Sequence, residues 1–116
     1  MTQQPLGDVE TLALALRHLA DTIDARAVSG DAEASYTAQL LKKGPQKTAK
    51  KLIEEAGETG LAVVSEGGSA VANEAADLVY HLFVALRSRG VSLEAVAAAL
   101  IKRQKMSGLE EKAARE

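Results

Sequence analysis

Two acidic pairs, each at helical spacing and joined by one short glycine turn, limit what this chain can become. Glu55 and Glu58 stand three residues apart in Lys-Lys-Leu-Ile-Glu-Glu-Ala-Gly-Glu (50–58), and Glu74 and Asp77 three apart in Asn-Glu-Ala-Ala-Asp-Leu-Val-Tyr-His (73–81). Residues three apart on a helix share a face. The turn at Glu66-Gly67-Gly68-Ser69 is too short to do anything but make the two helices antiparallel neighbours. Four carboxylates are then expected to converge, and such a cluster repels itself unless a cation neutralises it. Oxygen ligands of this kind suit Mg²⁺, with Mn²⁺ as a substitute. The spacing therefore points to a metal site held by Glu55, Glu58, Glu74 and Asp77, and to phosphate chemistry. The bland alternative is a solvated face in which Glu54, Glu55 and Glu58 pair with Lys50 and Lys51 for a few tenths of a kcal/mol. Glu74 and Asp77 argue against it, because they border an apolar stripe where unpaired acids are costly.

The rest of the chain reads as four or five helices forming one all-α domain over residues 1–116, with residues 1–7 and about 106–116 expected to be flexible. Asp8 is the expected N-cap of a first helix, about Val9 to Ala27, with Leu12, Leu16, Leu19 and Ile23 near the 3.6 period. Val28–Ala34 reads as a loop. Ser35-Tyr36-Thr37 opens a short helix ending near Lys43, with Gly44 as its terminal glycine. Pro45 starts the helix that bears the first acids and runs to about Ser65. Its apolar stripe is Ala49, Leu52, Ile53, Ala56, Gly60, Val63 and Val64, with Lys47, Lys51, Glu55 and Glu58 on an adjacent face. Gly57 and Gly60 each cost about 1 kcal/mol of helix propensity relative to Ala, which suggests either a close approach or simple drift. The next helix covers about Ala70 to Arg89, with Val71, Ala75, Leu78, Val79, Leu82 and Leu86 inward, and Gly90 stops it. Ser92 caps a last helix in which Leu93, Val96, Ala97 and Leu100 are expected to face inward.

Composition narrows the function classes. The hydrophobic fraction is 47% but aromatics are only 3%, so the core must be built from Ala, Leu and Val in thin layers. Thin layers leave apolar surface uncovered and favour self-association. A net charge of -2 gives no basic signature for nucleic acid. The absence of cysteine excludes disulfides and thiolate metal sites, and suits a cytoplasmic location. Met1–Gly7 is polar, so no secretory segment is expected. The longest apolar run, Ala95–Ile101, falls far short of the roughly 18–20 residues that span a bilayer.

Around the acids, Lys42, Lys43, Lys47, Lys50 and Lys51 gather near a helix start, where free N–H groups also favour anions. They suit either a phosphate-bearing ligand or plain solubility. His81 is a neighbour of the acids or a core-edge histidine. Tyr36 and Tyr80 could each stack on a base or close the core, and Tyr80 is expected nearer the site because it follows Asp77 by three. A di-iron bundle would want Glu-x-x-His, and neither His18 nor His81 has Glu three residues before it.

The acidic pattern Glu54-Glu55-x-x-Glu58 followed by Glu74-x-x-Asp77 resembles that of the all-α MazG-like nucleoside triphosphate pyrophosphohydrolases. Ser35-Tyr36-Thr37-Ala38-Gln39-Leu40-Leu41, Lys43-Gly44-Pro45, Lys51-Leu52-Ile53-Glu54-Glu55-Ala56, 73–81 and Arg89-Gly90-Val91-Ser92-Leu93 resemble, within that superfamily, the phosphoribosyl-ATP pyrophosphohydrolases of histidine biosynthesis. The resemblance covers about Leu12 to Lys105. It implies a helical bundle completed by dimerisation and Mg²⁺-dependent conversion of phosphoribosyl-ATP to phosphoribosyl-AMP and pyrophosphate. On that reading Glu54 or Glu55 positions or deprotonates the attacking water. Lys51 and Lys47 stabilise charge on the phosphates, and Lys43 and Tyr80 join them in binding substrate. Two other readings share the acids or dispense with them: a pyrophosphohydrolase of ordinary or damaged nucleotides, and a non-catalytic dimerisation module.

Overall fold

The structure, a computed structural model, describes residues 3–105 and 108–115. Expectations that touch Met1, Thr2, Met106, Ser107 and Glu116 lie outside these residues. Six α-helices and no strand occur among the described residues: α1 (Glu10–Ser29), α2 (Tyr36–Lys43), α3 (Pro45–Ser65), α4 (Gly68–Arg89), α5 (Leu93–Gln104) and α6 (Gly108–Arg115). The all-α class is as the sequence predicts.

Local chemistry sets most boundaries. Ser35 accepts from the Ala38 N–H at 3.1 Å and starts α2, and Ser92 does the same for α5 through Ala95. Gly44, at φ 88°, turns the chain between α2 and α3, with Pro45 opening α3. A residue with a Cβ is strained in that left-handed region. At the start of α1, Asp8 sits one residue outside the cap position, which Val9 holds, and its carboxylate accepts from the Glu10 N–H at 3.0 Å. The turn between α3 and α4 is tighter than predicted, since helix resumes at Gly68.

α3 and α4 form the central antiparallel hairpin, and α1 and α2 pack across it. The core is Ile23, Leu40 and Val84, with Leu19, Leu41, Tyr80 and Phe83 packed around them. Leu40 is only 2% exposed. Replacing it with Ala is expected to cost about 2–5 kcal/mol, read as a lowered urea midpoint with helical circular dichroism retained below it.

Three expectations need correction. Of the expected apolar stripe of α3 only Leu52 turns inward: Ile53 is 72% and Val64 86% exposed, and Ala49, Ala56, Gly60 and Val63 are exposed with them. The inward row is Thr48, Leu52, Glu55, Thr59 and Ala62, which repeats at four, three, four and three residues. The apolar stripe follows the same repeat one residue on, about 100° round the helix. Two polar contacts hold the inward row to α4. The Thr59 hydroxyl lies 2.8 Å from the Glu55 carbonyl and 3.0 Å from that of Glu74, and the Thr48 and Ser88 hydroxyls pair at 2.8 Å. Second, α5 has no buried residue among those described; Leu93 and Val96 are half-buried, but Ala97 and Leu100 are exposed. Third, a sixth helix, α6, joins the four or five expected, in a stretch, Leu109–Arg115, rich in strong helix formers.

Candidate metal centre and active site

The Thr59 bridge draws α3 and α4 together at the acids. Ligand oxygens of Glu55, Glu58 and Glu74 all lie within 4.8 Å of one another. Asp77, one turn beyond Glu74 and exposed, adds its charge to Glu55 and Glu74. One oxygen each of Glu55 and Glu74, Oε2, is buried without a hydrogen-bond partner. Buried polar atoms are nearly always satisfied, so two orphaned carboxylate oxygens facing a third acid fit a hard divalent cation.

Electrostatics agree with that geometry. Burial pushes the Glu55 carboxyl above the ordinary carboxylate range, and the neighbouring charges of Glu58 and Asp77 raise it further. Burial likewise raises Glu74, followed by the charges of Glu58, Asp77 and Glu55. Without a cation, the fold holds these groups in surroundings that disfavour their ionised form.

His81 lies on the core side of the cluster. It is 7% exposed, and its Nδ1 donates to the Asp77 carbonyl at 2.8 Å. Its Nε2 is buried and without a hydrogen-bond partner. Nδ1 is also 4.0 Å from Glu55 Oε1. His81 is thus both a core-edge residue and a neighbour of a candidate ligand, which joins the two alternatives left by the sequence.

The remaining candidates divide. Lys51 is half-buried on the turn before Glu55, and its ammonium pairs with Glu54 at 3.2 Å. That contact raises the Lys51 pKa and lowers that of Glu54. Glu54 is exposed and stands outside the three-carboxylate group. Lys47 is half-buried one turn before Lys51, close enough to act on Glu54. Lys43 is exposed in the last turn of α2. Tyr80 packs against the core, and its hydroxyl is hydrogen-bonded to the Thr37 hydroxyl. Thr59 was not singled out by the sequence, because its role depends on a carbonyl of the opposite helix. A cleft of about 470 Å³ between α1, the end of α4 and the start of α5 is lined by Ile23, Phe83, Leu86 and the Asp24–Arg87 pair and by none of the candidate ligands.

Comparison with known proteins gives a consistent picture. The sequence profile of the phosphoribosyl-ATP pyrophosphohydrolase family matches residues 16–104. A phosphoribosyl-ATP pyrophosphatase 1 of Rhodopseudomonas palustris is 54% identical over 100 residues, which covers 86% of this chain and 92% of the relative. Phosphoribosyl-ATP pyrophosphatases of Caulobacter vibrioides and Methylobacterium radiotolerans are 51% and 50% identical, over 86% and 89% of this chain and 92% and 95% of their own.

Proposed function

The chain belongs to the phosphoribosyl-ATP pyrophosphohydrolase family, and from that premise we propose how its site works. Its activity is hydrolysis of phosphoribosyl-ATP, in histidine biosynthesis. We assign the cut to the α–β phosphoanhydride, because pyrophosphate is the leaving group, and place the reaction in the cytoplasm.

Glu55, Glu58, Glu74 and Asp77 would hold Mg²⁺, or Mn²⁺ in its place. The observation that carries this assignment is the pair of buried, unpartnered oxygens on Glu55 and Glu74. Those four carboxylates would hold the cation where its positive charge and Lewis acidity would be available to the phosphates. Glu55, or Glu54 beside it, is the carboxylate we assign to orient the attacking water and take its proton. Lys51, steadied by Glu54, and Lys47 one turn earlier offer positive charge on the same helix face to the departing pyrophosphate. Lys43 extends that charge to the end of α2.

A homodimer completes the molecule in this reading. Among the described residues nothing covers Ile53, Val63 and Val64 of the α3 stripe, and an added Cβ at Gly57 or Gly60, on that outer side, would meet nothing within 4 Å. Two helix-weakening glycines on an open face make sense if a second copy approaches them closely.

The test is pyrophosphate release from phosphoribosyl-ATP, with and without Mg²⁺, beside a panel of ordinary nucleotides. Metal-dependent release from phosphoribosyl-ATP, at least about tenfold faster than from ATP, is expected. Release confined to ordinary nucleotides would replace the substrate and keep the site. Release unaffected by chelation would remove the metal.

A further inference from the structure

We propose that Tyr36 is the side chain on which the purine base of the nucleotide stacks. The inference rests on the substrate class assigned above and adds a recognition residue to it.

The chain contains three side chains of the Phe, Tyr and Trp class: Tyr36, Tyr80 and Phe83. Tyr80 and Phe83 pack against Ile23, Leu40 and Val84, and the Tyr80 hydroxyl is already bonded to Thr37. Tyr36 alone is open, at 50% exposure. Its position is fixed from the backbone up, because it is the first residue of α2 and follows the Ser35 cap.

The ring stands at the edge of the carboxylate site. Its centroid is 6.3 Å from that of His81, with the planes at 73°. Such an edge-to-face contact fixes a ring while leaving it a free face. His81 in turn is held by the Asp77 carbonyl and lies 4.0 Å from Glu55. Tyr36 also lies near the Lys51 side chain. A nucleotide whose phosphates lie along Lys47, Lys51 and the acids would bring its base out towards this ring. A second ribose phosphate crowds the edge of the purine but not its faces, so stacking remains the available contact. Base–aromatic stacking tolerates such substitution because it reads the π-face.

Three variants test the assignment in the Mg²⁺-loaded protein. Tyr36→Ala is expected to raise KM for phosphoribosyl-ATP about tenfold or more, with the smaller change in kcat. Tyr36→Phe keeps the ring and should recover most of that affinity. The chain has no tryptophan, so Tyr36→Trp introduces a single indole that can be excited apart from tyrosine. Its emission should be quenched by AMP and not by pyrophosphate, which has no base. An unchanged KM in Tyr36→Ala, equal damage in Tyr36→Phe, or no quenching by AMP overturns the proposal. Failure of the parent protein to hydrolyse phosphoribosyl-ATP would instead count against the substrate, and the AMP titration would still decide whether this ring takes a base.

Discussion

Glu74→Gln is expected to abolish turnover and, at the same time, to make the metal-free protein more stable at neutral pH. Loss of partners that merely support a metal ligand typically costs 10–100-fold, so loss of a ligand oxygen should lower kcat by at least about 100-fold. The stability change has the opposite sign because Glu74 is held where its charge is unwelcome: burial and the charges of Glu58, Asp77 and Glu55 raise its pKa. A folded-state pKa above the unfolded value means that the fold binds the proton more tightly than the unfolded chain does. The stability contributed by that proton is full below the unfolded value, roughly 4, and is lost as pH rises through the raised folded value. The amide carries no charge to lose. Its advantage over the parent should therefore be greatest near pH 7 and shrink towards pH 4. Mg²⁺ should raise the Tm of the parent, as a ligand that binds only the fold must, and leave the variant's unmoved. Glu55→Gln should behave alike, since its carboxyl is raised by the same causes. Thermal scans with and without Mg²⁺ at pH 4, 5, 6 and 7 measure all of this. An amide variant that keeps its Mg²⁺ shift, or is no more stable than the parent at pH 7 without metal, would contradict the proposed centre.

Ile53→Lys should convert a dimer into a monomer while leaving the helix content unchanged. Ile53 is 72% exposed on the outer stripe of α3, in line with Ala49, Ala56, Gly60 and Val64. A lysine there is solvated in the monomer, and lysine belongs to the stronger helix formers. In a dimer seam its ammonium would lose water without gaining a partner, a cost of several kcal/mol. At 1.4 kcal/mol per tenfold, association should weaken by about 100-fold or more. Light scattering across a concentration series reads the difference. A parent protein that stays monomeric at high concentration, or a lysine variant that dimerises as tightly, would show that this stripe is not the interface.

Much of the molecule is legible from residue types and spacing because local chemistry decides it. Ser35 and Ser92 cap helices with their own hydroxyls. Gly44 and Pro45 divide α2 from α3, and Gly90, at φ 72°, ends α4. The Glu55, Glu58 and Glu74 convergence is legible too, since i, i+3 spacing and a short turn leave a hairpin little choice. Tyr36 and Tyr80 show where this reasoning stops. Tyr80 follows Asp77 by three and Tyr36 lies on another helix, yet it is the Tyr80 ring that is closed against the core and the Tyr36 ring that is open.

The sequence by itself determined five of the six helices, the caps of α2 and α5, the pairing of α3 with α4 and the acids on facing turns. Each follows from contacts between residues a few positions apart. Only the tertiary structure decided which side of α3 turns inward. That helix carries two rows with the same four-and-three repeat, one apolar and one polar, and periodicity cannot rank them. The inward row is the one that makes cross-helix contacts. Thr59 reaches the Glu74 carbonyl, Thr48 reaches Ser88, and Ala62 is small enough to be fully enclosed. The same rotation buries Glu55 beside His81, leaves two carboxylate oxygens without partners and turns Ile53 and Val64 to the outside.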